Sequence, residues 1–97
     1  MGELKKAHTD CVGELVRATA GRESGSLFLV CWAEGRYVGL CDGKTRKLSN
    51  IKRKNIRHVI PTGLQSKQLA AARAVPSTDV MDADIRKEIK RLSEEVL

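Results

Sequence analysis

The sequence predicts a mainly β fold: a small, strongly bent five-stranded barrel over residues 12–61, followed by two C-terminal α-helices over residues 62–97 that pack on it. Three observations lead there. A chain of 97 residues can build one hydrophobic core and not two. Its first half holds short apolar or alternating runs separated by glycine-bearing turns, too few for a sandwich and suited to a small barrel. Beyond Pro61 the apolar spacing changes to the period of a helix.

Residues 1–11 show no apolar periodicity and are expected to be a flexible leader. Gly13 to Ala18 alternates small or apolar with polar positions, as a half-buried strand does. Thr19 to Ser26, with Gly21 and Gly25 around Arg22, Glu23 and Ser24, reads as a loop. Leu27 to Trp32 is a continuous apolar run of strand formers, which predicts a strand buried on both faces. Glu34-Gly35 then turns the chain into a third strand, Arg36 to Cys41, and Asp42-Gly43 signals another hairpin with Lys44 to Leu48 returning. Asn55 to Ile60 is read as the last strand, with Ile56, His58 and Ile60 on one face, closed by Pro61.

The helical part begins with Leu64 to Val75, an Ala-rich segment bounded by Gly63 and Pro76. Ile85, Ile89, Leu92 and Val96 fall on one stripe of a second helix. Asp82 is its expected N-cap, and Asp82 and Asp84 lie where the positive end of the helix dipole favours carboxylates. That stripe needs a partner, either the chain's own barrel or another molecule.

The net charge of +6 is unevenly distributed. Residues 1–42 and 61–97 are close to neutral, whereas residues 43–58 hold Lys44, Arg46, Lys47, Lys52, Arg53, Lys54 and Arg57 and no acid. Lysines at a sheet edge discourage strand pairing, but so many cations exceed that need. An unbalanced basic stretch attracts polyanions, and Lys and Arg bind phosphate by displacing condensed counterions. Only Phe28, Trp32 and Tyr37 are aromatic, which disfavours base stacking along single strands and favours structured RNA gripped by its backbone.

Other chemistries find little footing. Gly21 and Gly25 are not followed by the Lys-Ser or Lys-Thr of a phosphate-binding loop, so turn geometry is their expected role, as it is for Gly13 and Gly43. His8 and Cys11 have metal-like spacing without a second ligand pair, so no metal and no cofactor is expected. Cys11, Cys31 and Cys41 are odd in number, without CxxC spacing, and fit unpaired thiols in a reducing compartment. Cys31 and Cys41 are read as small core residues placed where they can face each other and oxidise incidentally. Trp32 and Tyr37 are expected to seal one end of the barrel, with base stacking as the other option. No Ser, His and Asp set or activated nucleophile is recognisable, so the chain is read as no enzyme and as taking no small-molecule substrate. The N-terminus is polar and the longest apolar run far too short to span a bilayer, which points to a cytoplasmic protein with no membrane partner.

The stretch Gly13 to Gly25 resembles a KOW motif. With Asp42-Gly43-Lys44-Thr45-Arg46-Lys47-Leu48, the basic run Ile51 to His58 ending at Pro61-Thr62, and the closing Ala83-Asp84-Ile85-Arg86-Lys87 helix, it is similar to the small bacterial KOW-domain RNA-binding proteins. Those resemble in turn the KOW-containing large-subunit ribosomal proteins of archaea and eukaryotes. The resemblance covers residues 12–92 and implies an SH3-like barrel, RNA binding, with ribosomal RNA the expected partner, and a link to the ribosome and translation. The loop here departs from the pattern, having Ser24 where a second basic residue is common and Arg22 offset by Glu23. Lys44, Arg46, Lys47, Lys52, Arg53, Lys54 and Arg57 are therefore the expected phosphate contacts, with Arg17 and Arg22 as auxiliaries. The alternative is a protein-interaction module that docks a ribosomal or transcription protein through the barrel or the Ile85 to Val96 stripe.

Overall fold

The chain forms five antiparallel strands: β1 Glu14–Ala18, β2 Leu27–Glu34, β3 Tyr37–Cys41, the wholly polar β4 Lys52–Asn55, held by its pairing with β3, and β5 Val59–Gln65. Two helices follow, α1 Lys67–Ala72 and α2 Asp82–Val96. These elements come from a computed structural model, which describes residues 11–72, 75 and 80–96. The strand order is β4-β3-β2-β1-β5, because the last strand returns to pair with the first. The two edge strands are consecutive in the chain, joined by a 3-10 helix at Ile56–His58, with no hydrogen-bond ladder between them.

Each face of the sheet carries its own core. Val16, Ala18, Phe28, Val30, Val38, Leu40, Ile56 and Val59 pack together on one face, the inner face. The outer face gathers Leu15, Leu29, Cys31 and Cys41 beneath Leu69, Val75, Val80, Ile85 and Leu92. β2 supplies both clusters, with Phe28 and Val30 inward and Leu29 and Cys31 outward, as its unbroken apolar run predicts. β1 does the same through Val16 and Leu15, so it is buried more fully than alternation suggested.

The stripe of α2 is part of this core. Ile85 and Leu92 are buried, and Ile89 packs beside them. Burial of such side chains contributes about 2 kcal/mol each, so the helix spends its apolar face on its own sheet. Ser66 helps fix both helices: its hydroxyl donates to the Glu88 carboxylate at 2.6 Å and accepts from the Leu69 amide at the start of α1.

Several expectations are corrected. Lys44 to Leu48 is not a strand, because the Asp42 carboxylate accepts from the Lys44 and Arg46 amides, both at 2.8 Å, and from the Thr45 hydroxyl at 2.9 Å. Those bonds wrap the chain into a loop, and the returning strand starts only at Lys52. Asn55 to Ile60 is not one strand either. The Asn55 side chain caps the 3-10 helix by accepting from the Arg57 amide, so Ile56 and Val59 enter the core while Ile60 is exposed. Pro61 does not end the sheet; it pairs with Val16 inside edge strand β5, where a missing donor is tolerated. The first helix is shorter than expected, starting at Lys67; Arg73 and Ala74, in the predicted span, lie outside the described residues.

At α2, Asp84 rather than Asp82 serves the helix start, accepting from the Met81 amide at 2.8 Å. Asp82 reaches across to accept from the Leu48 amide at 2.7 Å. Cys31 and Cys41 are not thiols but form a disulfide across the β2–β3 hairpin, where a register shift at Cys31 brings the two Cα atoms to 6.5 Å. Trp32 does not seal the inner core; it packs against the outer cluster. Residues 1–10 of the expected leader, His8 among them, lie outside the described residues, whereas Cys11 is buried.

Candidate functional site

Three segments carry the cations of the basic block and its neighbours: the loop after β1 (residues 19–26), the loop after β3 (residues 42–51), and β4 with its 3-10 helix. They meet around one carboxylate. Glu23 accepts from Arg46 Nη2 at 2.7 Å and lies 3.6 Å from Lys54 Nζ. Lys54 is only 9% exposed, and its ammonium also donates to the Ala20 carbonyl at 2.8 Å. The Arg46 hydrogen bond holds the Glu23 carboxyl at about 2, well below its ordinary 4.5, against the upward push of burial. One glutamate thus ties the first loop to the second and to β4.

Backbone geometry shapes the first loop. Gly21 and Gly25 have φ of 80° and 89°, a region that favours glycine, which fits the turn role expected for them. The Gly25 amide donates to the Ala18 carbonyl at 2.8 Å, the Ala18 amide donates to the Ser26 carbonyl at 3.0 Å, and Arg17 Nη1 donates to the Gly25 carbonyl at 2.6 Å. Thr19 donates to the His58 carbonyl at 2.9 Å, which sets the loop beside Arg57.

The second loop rests on α2. Arg86 donates to the Gly43 carbonyl at 2.7 Å, and Asp82 holds the Leu48 amide at the other end. Gly43, at φ 77°, lies so close to the Asp82 carbonyl that a Cβ there would have no room. Burial pushes the Asp42 carboxyl up, but the Lys44 and Arg46 amides outweigh it and hold the group below its ordinary range. An ionised Asp42 therefore keeps the loop wound. Gly13, at φ 89°, does a comparable job where β1 begins, against the Ser66 carbonyl and the Ala70 amide of α1.

The nine expected contact residues divide accordingly. Arg22, Lys44, Lys47 and Arg57 are exposed on the three joined segments, and Lys52 is half-buried on β4. Arg46 and Lys54 are engaged by Glu23. Arg17 is exposed while braced on Gly25. Arg53 stands apart: Lys52 and Lys54 pair with Leu40 and Val38 of the inner core, whereas Arg53 pairs with Gly39 on the outer face. There its guanidinium lies 3.6 Å from the centre of the Tyr37 ring.

One cation was missed. Arg36, exposed in the β2–β3 turn, accepts the Ile56 amide on its carbonyl at 2.8 Å and so joins the 3-10 helix. It sits in the near-neutral front of the sequence, and only the β3–β4 pairing brings it to the basic segment. Among the described residues, no helix is long and apolar enough to cross a membrane. No protein-family model matches the chain, and no curated protein matches it in sequence.

Proposed function

We propose that the protein binds structured RNA through its phosphate backbone, with ribosomal RNA the expected target and the ribosome or translation the setting. The observation that carries this reading is the convergence of Arg22, Lys44, Lys47 and Arg57, all exposed, on three segments locked together by hydrogen bonds. Fixed loops present cations without the ordering cost that loose ones would pay on binding. Glycine-rich backbone in the first loop allows close approach to a sugar-phosphate chain. The role is binding rather than catalysis.

The same reading takes the five strands as an SH3-like barrel of the KOW type. Consecutive edge strands joined by a 3-10 helix, a last strand paired with the first, and an inner core of Val16, Phe28, Val30 and Leu40 all support it. A cytoplasmic setting belongs to the proposal. Disulfides are rare there, but Cys31 and Cys41 are fully buried under the helices, where a thiol attacking the bond has no access. A protein-docking role through α2 has less support, because Ile85 and Leu92 are already spent on the sheet.

The test is affinity for a hairpin RNA measured across salt concentrations. If about five phosphates are neutralised, log affinity falls against log salt with a slope of about −3.5 to −4.5. A flat response overturns the proposal, as does crosslinking from cells that recovers protein partners and no RNA.

A further inference from the structure

The outer face of the sheet is covered unevenly. Helix α2 packs over β2 and β5, while toward β3 and β4 the same face carries Trp32, Tyr37 and Arg53, the first two half-buried and the third exposed. Register places them together. Trp32 pairs with Gly39, Gly39 pairs with Arg53, and Tyr37 lies two residues from Gly39 on the same side. Gly39 has no side chain, and the pyrrole part of the Trp32 indole occupies the space where a Cβ would stand. A glycine at this position therefore lets the indole lie close against the strand.

Arg53 completes the surface. Its guanidinium sits 3.6 Å from the Tyr37 ring centre, which is stacking distance. Because Arg53 is exposed, the pair offers a charged plane outward, next to the indole. Two of the three aromatic residues in the chain are gathered here, and the third, Phe28, is in the inner core.

We infer that Trp32, Tyr37 and Arg53 form a stacking site for an unpaired nucleobase, one that flanks the RNA helix held by the basic loops. This rests on the RNA-binding reading above and adds to it a preference for a duplex with a single-stranded neighbour. Charge complementarity names the occupant. Arg57, within the 3-10 helix, and Arg36, whose carbonyl holds the first amide of that helix, are both exposed at the end of the sheet where β3 starts and β4 ends, where the phosphates of a stacked nucleotide would run. Bases within a duplex are stacked on both sides and cannot use such a plane, whereas a splayed base stacks readily on aromatic rings and guanidinium groups. Glu34, opposite Tyr37 on the same face and exposed, is a hydrogen-bond acceptor beside the platform and favours a base edge that donates.

Trp32 is the single tryptophan, so its emission reports the site directly. The full chain is titrated with a blunt RNA duplex of two strands and with the same duplex bearing short single-stranded adenosine tails at both ends. The tailed RNA is expected to quench Trp32 emission and to bind roughly tenfold tighter than the blunt one. Arg53→Lys, which keeps the charge and loses the plane, is expected to weaken binding of the tailed RNA more than of the blunt duplex. Equal affinities with unchanged Trp32 emission would overturn the stacking site and leave backbone binding standing. Failure of both RNAs to bind would overturn the two together.

Discussion

Arg46 and Lys54 come from the same basic stretch as Lys44 and Lys47, yet their surroundings are opposite. The first pair converges on Glu23, one of them almost wholly buried, and joins two loops to a strand. The second pair is exposed on a loop whose shape is set by Asp42 and by α2 beneath it. Residue type is nearly the same in both pairs; position relative to one carboxylate separates a brace from a contact. Counting cations therefore overstates the binding surface and understates what holds it in place.

Removing the brace should have the largest effect on stability. Glu23→Ala leaves the Lys54 ammonium buried with only the Ala20 carbonyl, and Arg46 without its acceptor. Loss of one member of a mostly buried ionic group is expected to cost about 2–3 kcal/mol, read as a lower midpoint in urea unfolding. The loss caused by Glu23→Ala should be smaller when it is made in a Lys54→Met chain, where no buried ammonium is stranded. Equal losses in the two backgrounds would mean that Glu23 acts only through Arg46.

Acid should produce a weaker version of the same break. The Glu23 carboxyl lies at about 2 in the folded chain against an ordinary 4.5, so its stabilisation is complete above pH 4.5 and is lost as pH falls from there toward 2. Unfolding midpoints of the natural chain are expected to drop through that window. Glu23→Gln cannot titrate at this position and should show a shallower decline, the remainder coming from Asp42 and Glu88, whose carboxyls are also held low.

How much of this was legible in the sequence depends on the range of the interaction. The doubly buried β2 showed in the run Leu27 to Trp32, and the stripe of α2 showed in Ile85, Ile89 and Leu92, because hydrophobic period is a local signal. The loop after β3 was misread as a strand, since Asp42-Gly43 signals a tight hairpin equally well and only the three donors collected by Asp42 decide otherwise. Glu23 binds partners far along the chain, at positions 46 and 54, and Asp82 holds the amide at 48. No spacing rule reaches those pairs. The block of cations was visible as charge, but its division into braces, contacts and the Arg53 stack required the register of β3 with β4.

The smallest effect on stability, and the sharpest test of the comparison, comes from the exposed pair. Lys44 and Lys47 have exposed side chains on the Asp42 loop, and it is the backbone of Lys44, not its side chain, that the Asp42 carboxylate engages. Lys44→Ala with Lys47→Ala should therefore shift stability by no more than about 0.5 kcal/mol. Binding should respond quite differently. Loss of two phosphate contacts is expected to flatten the salt dependence of log affinity by about 1.4–1.8, with weakening shared evenly among RNAs of different sequence, since backbone contacts carry no base information. Arg46→Ala should show the reverse profile: a measurable loss of stability from freeing Glu23, and, once allowance is made for the unfolded fraction, a smaller change in slope. If the double lysine variant unfolds early or Arg46→Ala alters the slope as much as it does, the division between brace and contact is wrong, and the cations act as one surface.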